Sequence, residues 1–188
     1  MEKKEIKVLY HGPGISGRNS NLEHIYSKVF DVRHKVFDYR SFKLSTNEIK
    51  GIIKGNSCDR ETREQSFLFS TAPMSIFNDP CREKLVKEMD AFVFVVDSQV
   101  ERMDANIEVL WETETILKKH SRSITSIPWV IQYNKRDLPN ILSVTELQEI
   151  LNSYHLPHFE SVANKGIGVF ETFTSFVYEL DRFYNIFD

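Results

Sequence analysis

The sequence predicts an α/β fold in which helices cover both faces of a mainly parallel sheet, with one antiparallel hairpin at the sheet edge. Three observations favour this fold. Short apolar runs alternate with segments of helical period along most of the chain, which is typical of parallel sheets. Residues 49–54 and 65–71 flank a polar stretch that has the composition of a hairpin loop. A glycine-rich stretch, residues 9–22, separates the first apolar run from the first helical segment.

The predicted strands are apolar runs or stretches in which apolar and polar residues alternate. They cover residues 6–10, 35–44, 49–54, 65–71, 92–96, 129–133 and 158–162. The longest apolar run, residues 91–96, is too short to cross a bilayer, so no membrane span is predicted.

The predicted helices carry apolar residues three and four positions apart, the spacing of a stripe that packs on a sheet. They cover residues 19–30, 80–88, 103–119, 145–153 and 168–183. The first stripe consists of Leu22, Ile25, Tyr26 and Val29. The apolar positions of the third helix include Ile107, Leu110, Trp111 and Leu117. The last helix is expected to place in the core Phe170, Phe173, Phe176 and Phe183.

The composition indicates one domain, residues 1–188, long enough to bury a substantial core. A formal charge of -3 and an isoelectric point near 6.1 give no reason to expect nucleic-acid binding. Two cysteines, Cys58 and Cys81, fit a reducing compartment and indicate neither a disulfide framework nor a zinc site. The charged first five residues are unlike a signal peptide, so we expect a cytoplasmic protein.

The glycine-rich stretch has the arrangement of a phosphate-binding loop. Gly12 and Gly17 occupy the two glycine positions of the pattern G-x-x-x-x-G-K-[ST]. The next two positions depart from it, because Arg18 replaces the lysine and Asn19 replaces the hydroxyl residue. The residues predicted to bind phosphate are Gly12, Gly14, Gly17, Arg18, Asn19 and Ser20.

Three positions for the Arg18 side chain stay open at this point. The guanidinium keeps the positive charge of lysine but is bulkier and forks toward two oxygens. It could hold phosphates, fold outward toward an acidic neighbour, or lie on the surface at the start of the helix. Asn19 can cap that helix, but its amide oxygen is a poor substitute for a hydroxyl that binds magnesium. Ser20 could contact a phosphate.

A second set of polar residues, Asn134-Lys135-Arg136-Asp137, follows the strand at 129–133. Ligands of open α/β sheets bind at the carboxyl ends of strands. A carboxylate such as Asp137 can accept both the ring N1–H and the exocyclic amine of guanine, a donor pair that adenine lacks. The stem of Lys135 can lie over the base, and Asn134 can bond the base edge and tie neighbouring loops together. We therefore predict guanine recognition here.

A third segment, residues 160–166, again lies at a strand end. Backbone N–H groups of Val162 and Ala163 could contact the carbonyl oxygen of the base. Other residues are given structural roles: His11 beside the loop is expected to be structural, and Asp97 and Ser98 are expected to cap a turn. The six histidines show no ligand spacing, so no metal site is predicted.

Four stretches resemble the MglA-type bacterial Ras-like small GTPases, which act in cell polarity and gliding motility. The matching stretches are residues 11–17, 95–106, 132–139 and 166–172, and the resemblance runs over nearly the whole chain. It implies a Ras-like P-loop fold and a guanine nucleotide, GDP or GTP, with magnesium. It also implies a homodimeric Roadblock-type, MglB-like regulator or other polarity and motility proteins as partners.

The sequence departs from the family at the phosphate end. Where the family has Thr-x-Pro-Gly-Gln, this chain has Thr71-Ala-Pro-Met74-Ser75, and Ser75 is too short to orient water as the glutamine does. The nearest counterpart of the family's Asp-Arg-Thr is residues 34–36, which leaves no arginine for the transition state. Val36 cannot bind magnesium.

These losses predict little or no hydrolysis, since a transition-state arginine alone accounts for about 10³–10⁵ in rate. We therefore expect a guanine-nucleotide-binding pseudo-GTPase with no catalytic residue and no metal ligand assigned, in which magnesium has little effect. Two alternatives stay open. One is a slow GTPase whose partner supplies the missing groups, and the other is a scaffold that binds no nucleotide.

Overall fold

The computed structural model describes residues 5–29, 37–45, 48–55, 63–72 and 80–187. In this part of the chain the strands are β1 (Ile6–His11), β2 (Phe37–Ser45), β3 (Glu48–Gly55), β4 (Glu64–Thr71), β5 (Ala91–Asp97), β6 (Trp129–Asn134) and β7 (His158–Glu160). The helices are α1 (Arg18–Lys28), α2 (Pro80–Glu88), α3 (Met103–Lys119), α4 (Val144–Leu151) and α5 (Val169–Tyr184).

The strands form one sheet in the order β2-β3-β4-β1-β5-β6-β7. All pairings from β4 to β7 are parallel, whereas β3 pairs antiparallel with both β2 and β4. The predicted fold class is therefore confirmed, and β2 extends the expected hairpin by a further antiparallel pairing. Because β1, β5 and β6 run parallel, the loops that follow them meet at one edge of the sheet.

Two apolar cores lie on the two faces of the sheet. The first is formed by β1, β3, β4 and the buried faces of α1 and α5, and its largest rings include Phe67, Phe69 and Phe173. The second packs α2, α3 and α4 against the other face, with Phe92 stacked on Trp129 at 4.7 Å between ring centroids. Each fully buried ring of this kind contributes about 1.5–3 kcal/mol. No helix in the described ranges is long and apolar enough to cross a membrane.

Three apolar residues of the predicted helices lie at the surface. Phe183 is 50% exposed, so its predicted place in the core was wrong. Trp111 and Ile107, two apolar positions of α3, are 61% and 43% exposed. Ile107 and Trp111 are four residues apart and share one side of α3, whereas the side that faces the sheet carries Val109 and Leu117. The apolar positions of this helix exceed one stripe, and only tertiary packing decides which of them are covered.

Candidate functional site

The loop between β1 and α1 depends on its two terminal glycines. Gly12 has φ +149° and Gly17 has φ +102°, backbone values that other residues rarely adopt. A Cβ atom at Gly12 would overlap the carbonyl oxygen of Val95, and one at Gly17 would overlap the side-chain amide of Asn134. The backbone angles and these close contacts therefore require glycine at both positions of the phosphate-loop pattern.

Arg18, at the lysine position of the pattern, points into the protein. Its side chain begins in the first residue of α1 and is only 6% exposed. The Nη1 atom donates a hydrogen bond of 2.8 Å to the carbonyl oxygen of Ala72, just after β4. Burial, together with the nearby guanidinium of Arg82, lowers the pKa of Arg18 to about 10. The surface and outward-folded alternatives are therefore wrong.

Asn19, at the hydroxyl position, does not cap the helix as predicted. The helix begins one residue earlier, with Gly17 as its N-cap, so Asn19 lies inside the first turn. Its Oδ1 atom accepts a hydrogen bond of 2.8 Å from the hydroxyl of Thr71. Ser20, the next residue, is half-buried and lines a pocket beside the loop.

Asn134 joins three loops, as the sequence suggested. Its Nδ2 atom donates to the carbonyl oxygen of Ser16 at 2.6 Å, within the glycine-rich loop. Its Oδ1 atom accepts from the Ser161 hydroxyl at 3.0 Å and from the Ala163 N–H at 2.8 Å. The side chain is 2% exposed, so these bonds lie out of water. The base end of the site is therefore held together by one amide.

Lys135 follows with a left-handed backbone, φ +64°, and its ammonium is bonded to side chains that follow β5. The Nζ atom lies 2.6 Å from Oδ2 of Asp97 and 3.3 Å from Oε1 of Gln99. Lys135 is also among the residues that line the pocket at the base end. Asp97 also caps a turn as expected, because its Oδ1 atom accepts the Gln99 N–H at 3.2 Å.

Arg102 is a residue that the sequence alone did not reveal. Its Nη2 atom donates to the carbonyl oxygen of Gly14 at 2.9 Å, and its Nε atom lies 3.6 Å from the Asp97 carboxylate. A short 3-10 turn after β5 brings this arginine beside the glycine-rich loop. Only knowledge that the β1 and β5 ends are neighbours would have pointed to it.

Asp137, the predicted guanine-binding carboxylate, is exposed and paired with Lys165 at 2.8 Å. The hydrogen bond from Lys165 holds the pKa of Asp137 below its ordinary value. The carboxylate is therefore ionised at neutral pH and can accept two hydrogen bonds.

The amides of Val162 and Ala163 are engaged within the protein. Val162 donates to the carbonyl oxygen of Ile167 at 2.9 Å, and Ala163 donates to Asn134. Their predicted contact with the base carbonyl stays a prediction, and it would require one of these bonds to be shared or exchanged.

A pocket of about 260 Å³ lies at the base end of the site. It is lined by Ile15, Gly17, Ser20, Asn134, Lys135, Asp137, Leu138, Ala163 and Asn164. Gly12, Gly14, Arg18, Asn19 and Val162 lie outside this lining, whereas Ile15, Leu138 and Asn164 were not anticipated. An apolar stem, a fixed amide and an ionised carboxylate around one cavity fit a planar base that has polar edges.

Among the described residues of the phosphate end, the position that carries a hydroxyl residue in the pattern is occupied by Asn19. The amide oxygen of Asn19 is a weaker ligand for a magnesium ion than a hydroxyl, and it already accepts a hydrogen bond from the Thr71 hydroxyl. Val36, Met74 and Ser75, on which the predicted loss of hydrolysis also depends, lie outside the described residues.

His11, at the end of β1, is buried beside the same loop with 1% exposure. Among the described residues neither ring nitrogen has a hydrogen-bond partner. Burial and the guanidinium groups of Arg18 and Arg82 lower the pKa of His11 to about 3. The ring is therefore neutral at physiological pH.

Comparison with known proteins agrees with this architecture. Residues 80–178 match the model of the ADP-ribosylation factor (Arf) family. The chain is 38% identical over 179 residues to the mutual gliding-motility protein MglA of Myxococcus xanthus (strain DK1622), an alignment that covers 88% of this chain and 85% of that protein. With the parallel sheet, the glycine-rich loop and the Asn134–Asp137 segment in their expected places, the chain belongs to the MglA-type bacterial Ras-like small GTPases.

Proposed function

We propose that this chain is a single Ras-like domain, residues 1–188, that binds guanine nucleotide and signals by contact with partners, with little or no GTP hydrolysis. The observation that carries the proposal is the hydrogen bond between Arg18 and the Ala72 carbonyl. It directs the cation at the phosphate-binding position toward a main-chain carbonyl, while the base end keeps its polar groups around a cavity.

The base end accounts for the proposed choice of guanine. Asp137 would accept the N1–H and amine of the base, Asn134 would hold the loops around it, and the stem of Lys135 would cover its face. A base without the matching donors leaves such groups unpaired, which discriminates by roughly 10⁴-fold or more in sites of this kind. The network around Asn134 supports this role, because it joins the loops that surround the cavity through buried hydrogen bonds.

The phosphate end accounts for the proposed loss of turnover. A phosphate would compete with the Ala72 carbonyl for the Arg18 guanidinium, and the Asn19 oxygen at the hydroxyl position already accepts a hydrogen bond from Thr71. Positioning and charge neutralisation supply nearly all of the catalysis in phosphoryl transfer. We infer that the chain contributes little of either.

The biological setting is inferred from the relative. MglA of Myxococcus xanthus is a gliding-motility protein by name, and the alignment covers most of both chains. We propose a cytoplasmic role in cell polarity or gliding motility, with a Roadblock-type, MglB-like regulator or another motility protein as the partner.

A titration with fluorescent GDP, with and without magnesium, tests the proposal together with a GTP turnover assay. We expect saturable binding that magnesium changes by less than about threefold, and negligible turnover. Steady turnover comparable with that of a proficient relative, alone or with a Roadblock partner, would favour the slow GTPase instead. A melting temperature unmoved by millimolar GDP would favour the scaffold, because a ligand that binds only the folded state must stabilise it.

The double substitution Arg18→Lys with Asn19→Thr separates the pseudo-GTPase from the slow enzyme. If the site is a relic, restoring the two pattern residues should raise GDP affinity. If the site has been remodelled around Arg18 as an active enzyme, the same change should lower turnover.

A further inference from the structure

The guanidinium of Arg102 spans two parts of the site that are far apart in the sequence. Its Nη2 atom donates to the Gly14 carbonyl at 2.9 Å, 88 residues away, and its Nε atom lies 3.6 Å from Oδ2 of Asp97. The same carboxylate oxygen accepts the ammonium of Lys135 at 2.6 Å. One arginine therefore links the glycine-rich loop to the residue that anchors Lys135.

Asp97 is a rigid point to which both cations attach. Its side chain has 0% exposure, and its Oδ1 atom accepts the Gln99 N–H. Its own backbone is fixed on both sides by Asn106, whose Oδ1 accepts the Asp97 N–H at 3.0 Å and whose Nδ2 donates to the Asp97 carbonyl at 2.9 Å. A buried carboxylate held in this way can hold the cations in fixed positions, because it has no solvent to turn toward.

We propose that Arg102 is a positioning residue that holds the glycine-rich loop in one conformation, with its strength set by the Asp97 anchor. The Asn134 amide holds the end of the loop through the Ser16 carbonyl, and Arg102 holds its middle through the Gly14 carbonyl. Ile15 adopts φ +65°, which is unusual for a branched residue, and its side chain is 71% exposed. Within the loop, the Ser16 N–H donates to the Pro13 carbonyl at 3.2 Å and closes a turn that contains Gly14. The bond from Arg102 to the Gly14 carbonyl therefore restrains the same turn.

The proposal depends on the proposed nucleotide site only for its effect on affinity. A loop that is already held in place loses less conformational entropy when a phosphate binds. An arginine suits the task because its planar fork reaches a carboxylate and a carbonyl at once, whereas a lysine ammonium offers one point of attachment. Lys135 keeps its own bond to Asp97 if Arg102 is removed, so the base end should be affected least.

The test compares Arg102→Met with Arg122→Met. Arg122 also donates to two main-chain carbonyls, those of Lys87 and Met89, but it lies after α3 and far from the loop in the fold. Hydrogen exchange is measured in the nucleotide-free protein on peptides that cover residues 11–17 and, for comparison, residues 91–96 of β5. GDP and guanosine affinities are measured on the same samples.

For Arg102→Met we expect exchange at residues 11–17 to accelerate about tenfold while β5 is unchanged, and GDP affinity to fall about tenfold while guanosine affinity changes less than twofold. Arg122→Met should change none of these. Unchanged loop exchange in Arg102→Met, or equal acceleration in β5, would overturn the positioning role. If the unaltered protein does not bind GDP, the proposed function fails, and the exchange measurement still decides the role of Arg102.

Discussion

Arg18 and Ala72 are 54 residues apart in the sequence and are joined by a buried hydrogen bond of 2.8 Å. The bond connects the first residue of α1 to the chain just after β4, and it uses the cation that the phosphate-loop pattern reserves for a ligand. From this bond we predict both the stability of the nucleotide-free protein and its affinity for GDP.

Arg18→Lys should destabilise the nucleotide-free protein by about 1–3 kcal/mol, because the Ala72 carbonyl loses its partner in a buried position. The same change should raise GDP affinity, since a compact ammonium is free to meet phosphate oxygens. Urea unfolding and GDP titration measure the two effects. Arg182→Lys, at a side chain that is 80% exposed, is the control and should change neither quantity. Equal stability of the two variants would contradict the prediction.

His11 should make the protein less stable in mild acid. The folded-state pKa of about 3 lies below the ordinary 6.5, so below pH 6.5 the unfolded chain binds a proton that the folded chain does not. The stability is present above pH 6.5 and is lost as the pH falls, by about 2 kcal/mol between pH 7 and pH 5. His11→Leu should remove this slope in urea unfolding. His155→Asn, at an exposed histidine with a left-handed backbone, should keep the slope.

Gly12→Ala should destabilise the fold by more than about 2 kcal/mol, because the new Cβ meets the main chain of Val95 and the backbone value φ +149° is unfavourable for alanine. Gly14→Ala is the matched change in the same loop, at a glycine that is not among those of positive φ. Thermal unfolding of the two variants should differ by several degrees. Similar melting temperatures would show that the loop can move away from β5.

Asn134→Ala should cost about 2–4 kcal/mol of stability without any nucleotide, because it leaves the Ser16 carbonyl and the Ala163 N–H without partners in a buried place. Asp137→Ala should change stability by less than about 0.5 kcal/mol, since the residue lies at the surface and its partner Lys165 is exposed, yet it should abolish guanine selectivity. Comparison of GDP with ADP binding completes the test. A stable Asn134→Ala protein would mean that other contacts hold the three loops.

Much of the fold could be predicted because its signals are local. The apolar run of β5 is buried along its whole length, and the glycines of the loop need no partner to be recognised. The Asn134–Asp137 segment was placed correctly because it follows a strand. The sequence predicted that Asn134 would connect neighbouring loops, but not that its partner would be the Ser16 carbonyl.

The sequence could not decide which groups would meet across the sheet. The partners of Arg18 and Arg102 are carbonyl oxygens, which every residue has, so no residue type marks them. The exposure of Trp111 had a similar cause, because α3 has more apolar residues than the sheet can cover. Local pattern defines the elements, and the long-range polar contacts depend on their assembly.

The bond between Arg18 and Ala72 also bears on how the protein would behave when nucleotide is scarce. A buried cation with no partner inside the protein would strongly destabilise the nucleotide-free state, because an uncompensated buried charge is costly. In this chain the Ala72 carbonyl accepts a hydrogen bond from that cation. We therefore expect the nucleotide-free protein to persist as a folded population that a partner can meet directly, without an exchange factor to produce it.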